Sequence, residues 1–141
     1  MVRLDQFNYL VGETILECQR IEHDIKLIYA GMLKGELDEN IKLVKNKPLG
    51  PVLKDLEALD YSDEHPYLSK GDYKLLNEIK DIRNWLVHKA YMEFLYLRDQ
   101  QLDRAYQNNY QKLLKFHDRM TSLGDNVENV RVDIMKHFGR V

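Results

Sequence analysis

Three polar side chains interrupt an otherwise apolar stretch of predicted helix, DIRNWLVHKA, at positions 81–90. They are Arg83, Asn84 and His88, and Trp85 between them is the only tryptophan of the chain. A guanidinium stays charged and can stabilise a crowded phosphate, whereas an imidazole can take and give a proton near neutral pH. This combination suits metal-independent cleavage of RNA, in which a ribose 2′-hydroxyl attacks the adjacent phosphate.

The spacing of the three side chains sets what one helix can offer. Each residue advances a helix by about 100°, so Asn84 and His88 share a face and Arg83 lies about 140° from His88. Arginine is long enough to curl back toward the imidazole. A single histidine would have to act in both proton transfers. Two copies of the helix that meet across a dimer axis would supply two histidines. We therefore predict a catalytic site of Arg83, His88 and Asn84 in a homodimer.

The segment RNWLVH resembles the Arg-x(4–6)-His motif of the HEPN superfamily, the higher eukaryotes and prokaryotes nucleotide-binding domains. Members are helical bundles, commonly dimers, and many are metal-independent endoribonucleases of toxin–antitoxin, abortive-infection and other antiviral systems. Asparagine often follows the arginine in that family, as Asn84 does here. The resemblance implies that His88 is the acid/base, that Arg83 stabilises the phosphate, and that Asn84 orients or binds the substrate.

A second segment, QRIEHDIKLIYAG, is similar to the Glu-x-x-x-Lys pattern on an early helix of small HEPN proteins. It adds Glu22 and Lys26 as predicted substrate-binding residues. Tyr91 is predicted to bind substrate by stacking on a base, and packing in the core or at an interface is the alternative. In HEPN toxins paired with a nucleotidyltransferase antitoxin, a tyrosine often follows the histidine after one residue. Here Ala90 holds that position and Tyr91 comes one later, and any such antitoxin would be a separate chain.

Two readings without catalysis stay open for the same residues. A HEPN-like module could bind a nucleotide or a protein without chemistry. In a purely structural bundle, Arg83 would pair with Glu78, Asp81 or an acidic group elsewhere in the bundle, while Asn84 and His88 would form a hydrogen-bonded layer that fixes helix register. The structural reading turns these side chains toward the core, whereas the catalytic and the binding readings need them to face solvent.

Other polar spacings have simpler interpretations. Glu22 and Lys26 also suit an exposed ion pair four residues apart on a helix. Arg131 and His137 repeat the arginine–histidine spacing without an adjacent asparagine and near the end of the chain. The sequence contains no Glu-x-x-His repeat and no cysteine cluster, so we predict no metal and no cofactor.

Composition limits the remaining classes of protein. The chain has 141 residues, 44% hydrophobic and 31% charged, with three prolines and seven glycines, which favours one helical domain over positions 1–141. The net charge of −2 argues against general attraction to nucleic acid, so we predict RNA or nucleotide binding only locally and no DNA binding. No apolar run approaches the roughly 20 residues that span a bilayer, and the single cysteine excludes an intramolecular disulfide. We predict a cytoplasmic protein that does not contact a membrane.

Apolar periodicity predicts an all-α fold, an antiparallel HEPN-like bundle of four to five helices. The first helix carries a heptad seam with one polar member, Thr14. A capping box from Ser69 to Asp72 starts the third long helix, and a break of the fourth near Gly124 is left open. The predicted elements are a first helix over 4–33, a loop or short helical turn over 34–50, a short helix opened by Pro51 over 51–60, a helix over 71–97, and a helix from about 100.

Overall fold

The structure, a computed structural model, describes residues 2–141, and these form six helices and no strand. The predicted all-α bundle is confirmed. None of the helices within the described range is both long and apolar enough to cross a membrane. The helices are α1 (Leu4–Met32), α2 (Leu37–Val44), α3 (Leu49–Asp60), α4 (Lys70–Asn77), α5 (Ile79–His88) and α6 (Asp99–His137).

The described residues divide into two compact units, each built from two separate stretches of chain. Unit 1 comprises residues 2–18 and 78–122, and unit 2 comprises residues 19–77 and 123–141. Both boundaries near Cys18 and Ser122 fall inside helices, so α1 and α6 each contribute to both units. The single domain over positions 1–141 stays a prediction.

Helix α1 matches its prediction closely. The seam residues from Phe7 to Ile28 are buried, and only Met32 at the end is half-buried. Thr14, the polar member, donates its hydroxyl hydrogen to the Leu10 carbonyl oxygen at 2.7 Å, which satisfies the buried group within the helix. A long heptad pattern therefore located this helix to within one residue at its end.

The C-terminal end of α1 is capped by two side chains distant in sequence. The amide of Asn40 donates to the carbonyl oxygens of Ala30 and Leu33 at 3.1 and 3.2 Å. The guanidinium of Arg140 donates to Gly31 at 3.1 Å and to Leu33 at 2.6 Å. The carbonyls that the last turn leaves unpaired thus find donors within unit 2.

The predicted helix over 71–97 is wrong in two places, and the first is a break at Glu78. There α4 ends at Asn77, whose side-chain amide donates to the Tyr73 carbonyl oxygen at 2.8 Å. This side chain competes for the oxygen that the backbone of a continuous helix would use. The predicted element therefore splits into α4 and α5, which, with the short α2, explains why six helices replace the predicted four to five.

The second error lies at the C-terminal end, because α5 stops at His88 and positions 89–96 are turns. The Ala90 backbone N–H donates to the Trp85 carbonyl oxygen at 2.8 Å, five residues back, which ends the regular ladder. The amide of Asn109 then donates to the Ala90 carbonyl oxygen at 2.8 Å. Ala90 and Phe94 fall at helical spacing in the sequence and are buried, but they lie in turns rather than in a helix.

Helix α6 shows no break at Gly124, which is buried within the continuous helix. Asp125, the next residue, forms an ion pair with Arg20 at 3.1 Å and caps no new helix. The predicted start near position 100 is correct, since α6 begins at Asp99. The apolar seam of this helix continues through the glycine, and its burial sustains the helix there.

The two predicted helix starts in unit 2 had different outcomes. Ser69 and Asp72 form the predicted capping box, with the Asp72 N–H donating to Ser69 Oγ at 3.0 Å and the Ser69 N–H donating to Asp72 Oδ2 at 3.1 Å. Pro51 does not open α3, which begins two residues earlier at Leu49 with Pro48 as its N-cap. Proline is tolerated anywhere in a first turn, so its position alone could not fix the start.

A buried carboxylate organises the connection between α3 and α4. Asp60 is 1% exposed and accepts hydrogen bonds from the backbone N–H groups of Tyr67 at 2.8 Å and Leu68 at 3.1 Å. It also accepts the hydroxyl hydrogen of Tyr73 at 2.7 Å. Burial, together with the Asp60 hydrogen bond and charge, raises the pKa of Tyr73 far above its usual range, so this hydroxyl remains a donor.

Replacing Asp60 by alanine is expected to lower the free energy of unfolding by about 3 kcal/mol, because three donors lose their acceptor and two of them are buried. Urea unfolding followed by circular dichroism measures the change. Asp63, exposed in the same connection, provides the control, and its alanine variant should lose less than about 0.5 kcal/mol. Equal, small losses in both variants would contradict a structural role for Asp60.

Candidate functional site

Helix α5 is amphipathic, and its two faces separate the predicted catalytic residues from the core. Its inward face is buried, while Asn84, Val87 and His88 are exposed and Arg83 is half-buried. Asn84 and His88 therefore do not form a polar layer inside the core, and that alternative is wrong for these two residues. The buried residues of the helix are Ile79, Ile82, Trp85 and Leu86.

The last turn of α5 is fixed in place through Trp85. The indole N–H donates to Glu93 Oε1 at 2.7 Å, and the ring meets Phe116 edge-on with centroids 5.4 Å apart. The ammonium of Lys112 lies 4.6 Å from the centre of the indole ring, a cation–π contact. All three partners belong to unit 1, so the contacts of Trp85 hold the turn that carries His88 against the rest of that unit.

Tyr91 fastens the turn after His88 to the start of α1. Its hydroxyl donates to Asn8 Oδ1 at 2.5 Å, and its ring meets Phe7 edge-on at 5.1 Å. Burial raises the pKa of Tyr91, which further favours the protonated hydroxyl that donates this hydrogen bond. These contacts give Tyr91 a positioning role in unit 1, and its predicted stacking on a base stays a prediction.

Exposed apolar side chains follow the motif closely, and sequence reasoning missed them. Among them, Val87 is 64% and Tyr96 is 80% exposed. The available signal was the density of apolar residues in YMEFLYL, positions 91–97, which exceeds what a single helical stripe can bury. Such an exposed group is typical of a surface that another molecule covers. The remaining exposed members are Met92, Leu95 and Leu97.

Glu22 and Lys26 form the predicted ion pair, with Lys26 Nζ 3.4 Å from Glu22 Oε1. The pair is not exposed as predicted, since the lysine and glutamate side chains are only 17% and 22% accessible. Lys26 Nζ also donates to the Lys45 carbonyl oxygen at 3.0 Å, which ties α1 to the residue after α2. These residues belong to unit 2, whereas the α5 residues and Tyr91 belong to unit 1.

The second arginine–histidine spacing is occupied by packing in unit 2. Arg131 Nε lies 3.2 Å from Asp24 Oδ1, and His137 Nδ1 is 2.8 Å from the Tyr67 hydroxyl. Burial raises the pKa of Asp24, and the charge of Arg131 opposes that rise. Arg131 and His137 therefore both have structural partners, which agrees with the preference for the Arg83–His88 motif, where an asparagine follows the arginine.

Acidic, histidine and cysteine side chains are spread over the described part of the chain, and no three or more of them are placed to share a metal ion there. In comparisons with family models, with curated proteins and with solved structures, nothing matches the chain. The HEPN resemblance thus rests on the motif segments quoted above.

Proposed function

We propose that this chain is a HEPN-type, metal-independent endoribonuclease that works as a homodimer. The observation that carries the proposal is the exposure of Asn84 and His88 on the last turn of a helix whose opposite face is firmly packed. Solvent-facing polar groups on a rigid support are what a site for a large substrate requires. The same resemblance makes a toxin or defence role, with a separate antitoxin chain as partner, the setting we favour.

The proposed reaction needs one base and one acid. Neutral His88 of one subunit takes the proton of a ribose 2′-hydroxyl, whose oxygen bonds to the adjacent phosphorus while the bond to the 5′-oxygen breaks. The partner subunit's His88, protonated, gives its proton to the departing 5′-oxygen. Arg83 stabilises the charge on the phosphate oxygens and Asn84 orients the substrate. The products are a 2′,3′-cyclic phosphate and a 5′-hydroxyl.

RNA binding by a chain of net charge −2 must depend on local cations. Lys80 and Lys89 are exposed at the two ends of α5, and Arg98 is exposed ten residues beyond His88. These side chains could contact backbone phosphates on either side of the scissile bond, which positions the RNA without reading its sequence. Binding should accordingly weaken as salt is raised.

We expect the purified protein to cut single-stranded RNA in the presence of EDTA and to leave a cyclic phosphate. Mass spectrometry of the fragments identifies the termini. An RNA of the same sequence with 2′-O-methyl groups is the matched control and should remain uncut, because its nucleophile is blocked. Cleavage that requires Mg²⁺ or leaves a 5′-phosphate contradicts the mechanism, and a failure to cut any RNA favours the non-catalytic binding module.

A further inference from the structure

Unit 2 contains a groove of about 440 Å³ whose lining includes Glu22 and Lys26, the two predicted substrate-binding residues to which the reaction proposed above gives no step. One wall is the second half of α1 and the other is the end of α2 with Lys45. The hydrogen bond from Lys26 Nζ to the Lys45 carbonyl oxygen, 3.0 Å long, joins the two walls. The lining side chains are Gln19, Glu22, His23, Lys26, Leu27, Ile41, Val44 and Lys45.

The shape of this groove suits a helix. Its α1 wall presents residues three and four apart, from Gln19 to Leu27, which is about two helical turns or 12 Å. Rows of side chains at that spacing form the ridges between which another helix packs. Leu27, Ile41 and Val44 supply an apolar floor for the anchor side chains of such a helix.

The charge at the rim of the groove determines whether an acidic or a basic helix is favoured. Glu22 is already ion-paired with Lys26 at 3.4 Å, and the Lys26 ammonium also donates a hydrogen bond to the Lys45 carbonyl oxygen. Within residues 2–141, neither Lys45 nor Lys47 has an ion-pair partner, and both are exposed at the rim or just beyond it. Lys42 is paired with Glu39 at 3.4 Å, but that pair is exposed and weak. The surplus charge at this rim is therefore positive.

We propose that this groove binds a two-turn amphipathic helix with acidic flanks, supplied by a partner protein. The apolar anchors of that helix pack on Leu27, Ile41 and Val44. Its carboxylates pair with the ammonium groups of Lys45 and Lys26. Charge complementarity and the apolar floor together specify the occupant. This inference does not depend on RNA cleavage, since it assigns no step of that reaction to the groove and binding of a helix is measured without RNA.

A peptide library tests the proposal and requires no identified partner. The probes are displayed helices of about twelve residues, with apolar residues at positions three and four apart and the other positions drawn from acidic, basic and neutral polar residues. Selection on the whole chain should enrich net-negative peptides that gain helicity on binding. Enrichment of basic or neutral peptides, or of none, overturns the proposal.

Fluorescence polarisation with a selected peptide then locates its site. Ile41→Arg, which fills the groove, should abolish binding, and Lys45→Glu should weaken it by about tenfold. The matched controls are Leu43→Arg, at an exposed position of the same helix outside the groove, and Lys54→Glu, an exposed lysine of α3. Both controls should bind within about twofold of the unsubstituted chain.

Two further experiments distinguish an acidic partner helix from other molecules that could occupy the groove. A peptide with its key glutamate changed to lysine should prefer the Lys45→Glu variant, because the charges are exchanged. Unchanged affinity for Ile41→Arg places the peptide elsewhere and overturns the proposal. Loss of a dimer in sedimentation when Ile41 becomes arginine would instead make a second copy of this chain the occupant, which also overturns it.

Discussion

Substitution of His88 by alanine is expected to lower the rate of RNA cleavage by about a thousandfold, since both proton transfers lose their group in the dimer. The side chain is exposed at the end of α5, so the fold should not suffer. Single-turnover cleavage of a labelled RNA in EDTA measures the loss. Unfolding curves of the variant and the unsubstituted chain, recorded together, should coincide within about 0.5 kcal/mol.

The matched control for this experiment is His65→Ala. His65 is also exposed, lies in the connection between α3 and α4, and has no part in the proposed chemistry. Its variant should cleave RNA as fast as the unsubstituted chain, which excludes a contaminating nuclease as the source of any difference. Cleavage that survives in His88→Ala at the same rate would remove His88 from the mechanism and with it the proposed active site.

The fold was predictable where the apolar pattern is long and uninterrupted. Helices α1 and α6 both follow long apolar seams, and the continuity of α6 through Gly124, which the sequence left open, shows that a packed helix tolerates a single glycine. The end of α5 was not predictable in this way. Ala90 and Phe94 keep helical spacing in the sequence, yet the bond from Asn109 to the Ala90 carbonyl oxygen favours a turn, and no local pattern encodes a partner nineteen residues away.

In the candidate site, too, features that follow from local sequence pattern were predictable and features set by distant contacts were not. The outward position of Asn84 and His88 follows from the amphipathic pattern of α5, because buried Ile82, Trp85 and Leu86 leave them the opposite face. The environment of Lys26 does not follow from its spacing to Glu22. Spacing predicts an exposed pair, whereas the contact with Lys45, again nineteen residues distant, draws the ammonium into the wall of a groove.

The exposed apolar side chains beside the motif bear directly on the predicted dimer. Val87 lies three residues after Asn84 and next to His88, so the outward face of α5 mixes an apolar side chain with the polar pair. Met92, Leu95 and Tyr96, in the turns that follow α5, are also exposed, by 55%, 45% and 80%. Burying them against a second copy would remove apolar surface from contact with water and would place the two His88 side chains near the twofold axis of the dimer.

Val87→Arg is therefore expected to convert the dimer to a monomer and to reduce RNA cleavage at least about a hundredfold, because a twofold contact would set the two new charges against each other. Sedimentation and cleavage assays on the same sample measure both effects. Leu43→Arg, an equally exposed leucine of unit 2, is the control and should leave mass and rate unchanged. A monomeric Val87→Arg variant that still cleaves RNA at full rate would mean that one subunit holds a complete site. The requirement for the partner's His88 would then be wrong.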